Sequence, residues 1–173
     1  MIRTILFPTD LGMYSPFLLQ HVIQMAEGYD ADVHVVHAVE PLGVFADAVL
    51  ETYVPVDMIG DLRIHGMPAV MDAIRQQVYD AFEDEFIDTA EGMTRIADIR
   101  VIRGTSADVI LEEIEVSGCD VVVMGSHGHD SGHNAMLGSV VSKVLQLSQV
   151  PVMMIPMAQL RLPQVNLEKR ASL

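Results

Sequence analysis

The stretch Asp120-Val-Val-Val-Met-Gly-Ser-His-Gly-His-Asp-Ser-Gly-His-Asn-Ala-Met-Leu-Gly-Ser139 constrains this chain more than any other. Val121, Val122, Val123 and Met124 leave no polar position for water to meet, so the run reads as a strand covered on both faces. A glycine-rich loop follows, and Gly138-Ser139 opens the amphipathic segment Val140 to Leu147. Strand, glycine loop and helix start together make a phosphate cradle. Glycines let the main chain approach an anion, and the unpaired N–H groups and dipole of a helix start favour negative charge. Gly125 and Gly128 are followed by nine residues and then Gly138-Ser139, a G-x-x-G-x9-G-[ST] spacing. Glycines after a buried strand are often only turn residues. Here four positions share one spacing, and a helix begins where phosphate would need it. The chain has no Gly-Lys pair for a P-loop and no G-x-G-x-x-G after its first strand, which sets aside the two commonest cradles.

Charge narrows the partners. The net charge is −14 and the lysines are Lys143 and Lys169 alone, so nucleic acid, which needs a basic stripe, is excluded as a partner. The same field opposes a polyphosphate, so any phosphate site must overcome it locally. At 173 residues the chain fits one domain, and no apolar run approaches the length of a membrane helix, so no membrane insertion is expected. Met1 leads directly into strand-like residues and Cys119 has no partner for a disulfide; both point to a cytoplasmic protein. Cys119 reads as packing.

Taken in order, Ile2 to Phe7 is a first strand ended by Pro8, with Pro8-Thr9-Asp10 at its carboxyl end. A lone Asp there commonly just organises a turn. Ser15-Pro16 reads as N-cap and first helical residue, followed by a stripe of Phe17, Leu18, His21, Val22, Met25 and Ala26 that makes His21 a core histidine. Val33 to Val39 is a second strand, in which His34 and His37 read as structural. The punctuated stretch 41–68 reads as a long connecting loop, with a short helix around Phe45 to Thr52. Val70, Ile74, Val78, Phe82 and Phe86, widened by Ala73 and Ala81, form a long helix ending near Gly92. Ile99 to Arg103 is a short edge strand. Thr105 and Asp108 have capping-box spacing before a helix whose apolar residues are Val109, Ile110, Ile114 and Val116. Val141, Val144, Leu145 and Leu147 face the core from the last helix, Val152 to Ile155 is the fifth strand, and 158–173 is a tail beyond a domain of 1–157. Alternating strands and helices give an α/β fold: a single-domain, five-stranded parallel open sheet with helices on both faces.

The segments Ile2–Asp10, Val33–Glu40, Gly104–Ile110 and Asp120–Pro156 together resemble the ATP-binding branch of the universal stress protein family. The resemblance implies strand order 3-2-1-4-5 and an adenine-nucleotide α-hydrolase-like, Rossmann-like fold. It implies that Pro8, Thr9 and Asp10 serve the nucleoside end and that Ala38 meets adenine through its main chain. Gly125, Gly128, Gly138 and Ser139 would hold the phosphates, Met124, His129 and Val140 complete the nucleotide-binding set, and Mg²⁺ would bridge the phosphates because the chain offers little cation of its own. It further implies a homodimer through Val152–Ile155 in a stress-response role, with an unidentified protein partner. Two departures stand out: Gly12 replaces a serine two residues after the aspartate, and His129, Asp130, His133 and Asn134 stand where relatives place Lys or Arg. No general base is fixed by spacing, so no catalytic residue is assigned, and slow hydrolysis or phosphate transfer stays open. Two other readings stay open as well. One is an adenylyl-transferring enzyme of related fold, although its H-x-G-H signature would follow the first strand. The other is a metal module built on His127, His129 and His133, which no cysteine or carboxylate pair completes.

Overall fold

Parallel strands joined by crossover helices account for every element of the computed structural model, which describes residues 1–12, 14–41, 52, 66–85, 94–126 and 137–157. In order these are β1 Thr4–Pro8, α1 Ser15–Tyr29, β2 Asp32–Val39, α2 Met67–Glu85, β3 Ile96–Arg103, α3 Ser106–Ser117, β4 Val121–Gly125, α4 Ser139–Leu147 and β5 Val152–Ile155. The five strands pair in parallel in the order β3-β2-β1-β4-β5, as expected.

Side-chain alternation divides the central strands between two cores. Ile5, Phe7, Val33, Val35, Val121 and Val123 pack under α1 and α2, against Leu19, Val22, Ala26, Val78 and Phe82. Leu6, Val36, Val122 and Met124 point the other way, onto Ala107, Val109, Ile110 and Ile114 of α3 and Val141 and Val144 of α4. The four-residue apolar run of β4 is thus covered on both faces. Cys119 is buried in the second core, where loss of solvent pushes its thiol up from the ordinary value, and it acts as a packing residue.

Several boundaries differ from expectation. Tyr14, not Ser15, is the N-cap of α1, which puts Ser15 at the first helical position and Pro16 at the second. The Ser15 hydroxyl is drawn to Thr9 instead of capping. His21 is exposed, not in the core: the buried face is Leu18, Leu19, Val22, Ile23 and Ala26, while the His21 ring rests on Phe17 and bonds its carbonyl through Nδ1 at 2.9 Å. Asp30 ends the helix in the left-handed region, φ 55°. On α2, Val78 and Phe82 are buried, whereas Val70, Ala73 and Ala81 are exposed. β3 runs for eight residues, beginning at Ile96, and does lie at the sheet edge. Val116 is 59% exposed, and Leu145 and Leu147 are 41% and 56% exposed, so none of the three faces the core. A nine-residue helix beside the sheet edge buries one narrow stripe, which Val141 and Val144 occupy. The insertion 42–65 apart from Thr52, Phe86, the helix end near Gly92 and the tail 158–173 lie outside the described residues.

Asp120 ties the amino ends of the strands. Its carboxylate accepts the main-chain N–H groups of Arg3 at 2.7 Å and Thr4 at 3.0 Å, and these bonds hold it below the usual carboxylate range. Asp120 therefore sets the register of β4 against β1 and leaves their carboxyl ends to form a site.

Candidate functional site

The β1–α1 turn is built from side-chain hydrogen bonds. Thr9 is buried, and its N–H donates to the Val36 carbonyl at 2.9 Å, extending the β1–β2 ladder past Pro8. Its Oγ1 accepts the Leu11 N–H at 3.2 Å and lies 2.9 Å from Ser15 Oγ. Asp10 Oδ1 accepts the Gly12 N–H at 2.9 Å and the Ser15 hydroxyl at 3.4 Å. His37, at the carboxyl end of β2, is 2.8 Å from the Thr9 carbonyl through Nδ1. A carbonyl only accepts, so Nδ1 carries the hydrogen, which fixes the tautomer of a neutral His37 with its acceptor at Nε2. Leu11 adopts φ 56°, and the sharp turn that results brings Asp10 back over the start of α1.

The β4–α4 half is held mainly by main-chain bonds. Ser126 donates its N–H to the Ile155 carbonyl at 3.0 Å and accepts the Gly138 N–H at its own carbonyl at 3.2 Å. Its hydroxyl accepts the Met157 N–H at 3.0 Å. Ser126 thereby joins the ends of β4, β5 and the start of α4, a role that sequence reading missed; its place directly after Gly125 was the available signal. Gly138 is the N-cap, with φ −63° and ψ 150° and no side-chain cap. The first bond of α4 is Ser142 N–H to Gly138 O, so the N–H groups of Ser139, Val140 and Val141 precede the intrahelical ladder. The exposed Ser139 adds a hydroxyl to that donor set, which fits an anion. Register brings the two halves together. Leu6 pairs with Val122, and three residues further along each strand stand Thr9 and Gly125.

Met124 and Ala38 turn their side chains into or against the second core, so only their main chains are placed to serve the site. Beyond Ala38, Glu40 Oε1 accepts the Ser106 hydroxyl at 3.1 Å, which fastens the β2 end to α3. Lys143, one turn into α4, forms a 2.6 Å ion pair with Asp108 of α3. That ammonium, followed by the Thr105 hydroxyl, holds the Asp108 carboxyl below its usual range. Thr105 and Asp108 therefore bond each other through their side chains; Thr105 is the N-cap of α3 without a side-chain bond to the helix start. Gly128 and His129, with His127, His133 and the metal reading they carried, lie outside the described residues. Among the described residues no group of three or more His, Cys, Asp or Glu is placed to hold a metal, and no helix is long and apolar enough to cross a membrane.

Fold and site together define an open, doubly wound α/β protein in which β1 and β4 lead to helices on opposite faces of the sheet. The family model for the universal stress protein family matches residues 1–156, and the chain belongs to that family. It is 22% identical over 163 residues to universal stress protein MJ0577 of Methanocaldococcus jannaschii, covering 90% of this chain and 95% of that protein. The solved structure of MJ0577 superposes with a TM-score of 0.65 at 20% identity, over 90% of this chain and 96% of that one. Universal stress protein UspA from Lactobacillus plantarum gives 0.61 at 20% identity, over 89% and 97%. A universal stress protein in complex with cAMP gives 0.57 at 19% identity, over 90% and 97%.

Proposed function

We propose that this protein binds ATP, as its Mg²⁺ complex, in the crevice between the β1–α1 turn and the start of α4. The observation that carries the reading is the pairing of those two elements across the switch point: a carboxylate turn at Asp10 level with a helix start whose first amides precede its own ladder. A nucleoside offers hydroxyl and amine donors to the carboxylate, and phosphate accepts from the amides. Pro8, Thr9, Asp10 and the Ala38 main chain serve the nucleoside; Gly125, Gly128, His129, Gly138, Ser139 and Val140 serve the phosphates. The complex with cAMP in one structural relative supports an adenine nucleotide as the class of ligand. Titration calorimetry with MgATP tests the reading: saturable binding at one site per chain is the expected result. A flat titration of protein free of carried-over nucleotide overturns it.

The protein acts as a cytoplasmic regulator whose signal is nucleotide occupancy, delivered as a homodimer to a protein partner. Support for the dimer lies at β5, a sheet edge without a charged residue, on which Met153 and Met154 are 43% and 38% exposed. Ile155 is buried, so the discriminating variant is Met153→Lys with Met154→Lys, which leaves the core intact. Light scattering should report a dimer for the native chain and a monomer for the variant. A native monomer at micromolar concentration rejects the pairing.

A further inference from the structure

The hydroxyl of Ser15 looks in sequence like a helix cap, and it caps nothing. It is buried instead at the first position of α1, between Thr9 Oγ1 at 2.9 Å and Asp10 Oδ1 at 3.4 Å. The direction of the bonds follows from the donors available. Leu11 N–H donates to Thr9 Oγ1, an ionised Asp10 only accepts, and each hydroxyl has one hydrogen. The arrangement that satisfies all three runs Leu11 N–H to Thr9 Oγ1, Thr9 O–H to Ser15 Oγ, and Ser15 O–H to Asp10 Oδ1. Hydrogen bonds aligned head to tail polarise one another toward the carboxylate at the end. Gly12 completes the arrangement. Its N–H donates to the same Oδ1, and a Cβ on Gly12 would stand 2.9 Å from that oxygen, so a serine at 12 would displace the carboxylate where it now lies.

We propose that Ser15 is the positioning residue for Asp10, supplying from the first turn of α1 the hydroxyl that fixes the carboxylate meeting the nucleoside. The proposal rests on the nucleotide reading for its ligand, but the geometry of the turn can be read without ligand.

The test uses the full chain with Ser15→Ala, the conservative Ser15→Thr, Asp10→Asn, and the Ser15→Ala/Asp10→Asn double variant. The probes are MgATP, adenosine and inorganic tripolyphosphate. Losing a hydrogen bond to a charged group should weaken adenosine and ATP by about tenfold in Ser15→Ala, while tripolyphosphate changes by less than about twofold. Ser15→Thr should retain affinity, and Ser15→Ala should add little in the Asp10→Asn background, where the hydroxyl meets only a neutral amide oxygen. Equal loss of tripolyphosphate, or an undiminished effect without the Asp10 carboxylate, overturns the proposal. Should Ser15→Ala fail to fold, Gly12→Ala disturbs the same carboxylate from the other side and should give the same pattern. In the protein without ligand, the Gly12 amide resonance should shift in Ser15→Ala as its acceptor moves. A wild type that binds none of the probes removes the nucleotide reading, and that amide then decides the role of Ser15 by itself: an unmoved resonance rejects it.

Discussion

The two halves of the site are built by opposite means. The β1–α1 half is knit by side chains: Thr9, Asp10, Ser15 and His37 all bond within the turn or to its main chain. The β4–α4 half relies on amides, with Gly138 clasped to the Ser126 carbonyl and no side-chain cap on the helix. Charge explains the contrast. In a chain at −14 the ammonium on α4 is already paired to Asp108, so among the described residues the proposed phosphate site offers main-chain amides as its donors. A nucleoside is uncharged, and discriminating it calls for directed side-chain acceptors.

The sharpest way to break the contrast is to give the amide half a side chain. Gly138→Asp should lower ATP affinity by about a hundredfold or more, equivalent to ~2.7 kcal/mol. Aspartate is a preferred N-cap, so it would occupy the helix amides itself and repel phosphate. The backbone at 138 lies in the extended region that any residue adopts, so thermal stability should hold or rise. Calorimetry and a melting curve on the same sample check both parts. Retained ATP affinity with an intact fold would remove the α4 start from the site.

Removing Mg²⁺ separates the halves next. Chelation should weaken ATP by about tenfold, because the amide half then meets the full phosphate charge without a bridging divalent cation. Adenosine, bound at the side-chain half, should be indifferent to chelator. Equal losses for both ligands would mean that the metal organises the protein and not the phosphates.

How much was legible in sequence follows the same division. Main-chain architecture was: the β4 run of Val121 to Met124 required a sheet covered twice, and Gly138-Ser139 marked the start of α4. The long-range side-chain bonds were not. Ser15-Pro16 carries the same local signal for N-cap and first residue as for first and second. Only the bond to Thr9, six residues away, decides between them. His21 shared a helical stripe on paper, but α1 rolls so that Leu19 and Ile23 take the buried positions instead. The Asp120 clasp spans 117 residues to Arg3, and no local pattern reports such a contact. The pair Lys143–Asp108 joins two helices across 35 residues of sequence, again beyond any local pattern.

That pair yields the smallest effect and the most direct test of whether Lys143 is withheld from the proposed phosphate site. A long side chain on a helix leans toward the helix start, so Lys143, once released, comes nearer to the amides of Ser139 and Val140. Asp108→Asn removes its partner and one negative charge together. ATP affinity should then rise about two- to fivefold in low salt and fade toward the native value as salt screens the gain. Adenosine should be unchanged. The pH dependence has a definite sign. Lys143 first and Thr105 second hold the Asp108 carboxyl below its ordinary 3.8, so the folded protein releases that proton more readily than the unfolded chain. The contribution of the pair to stability is therefore fully present above the ordinary value and is lost as pH falls through the lowered one. At pH 5 the ammonium should still be held and ATP binding still denied its help. Carbon-detected NMR of the Asp108 carboxyl should show titration below 3.8 in the native chain and a return toward it in Lys143→Met. An Asp108 carboxyl that titrates identically in both proteins would mean that the lysine is available to phosphate after all, and the contrast between the two halves would weaken accordingly.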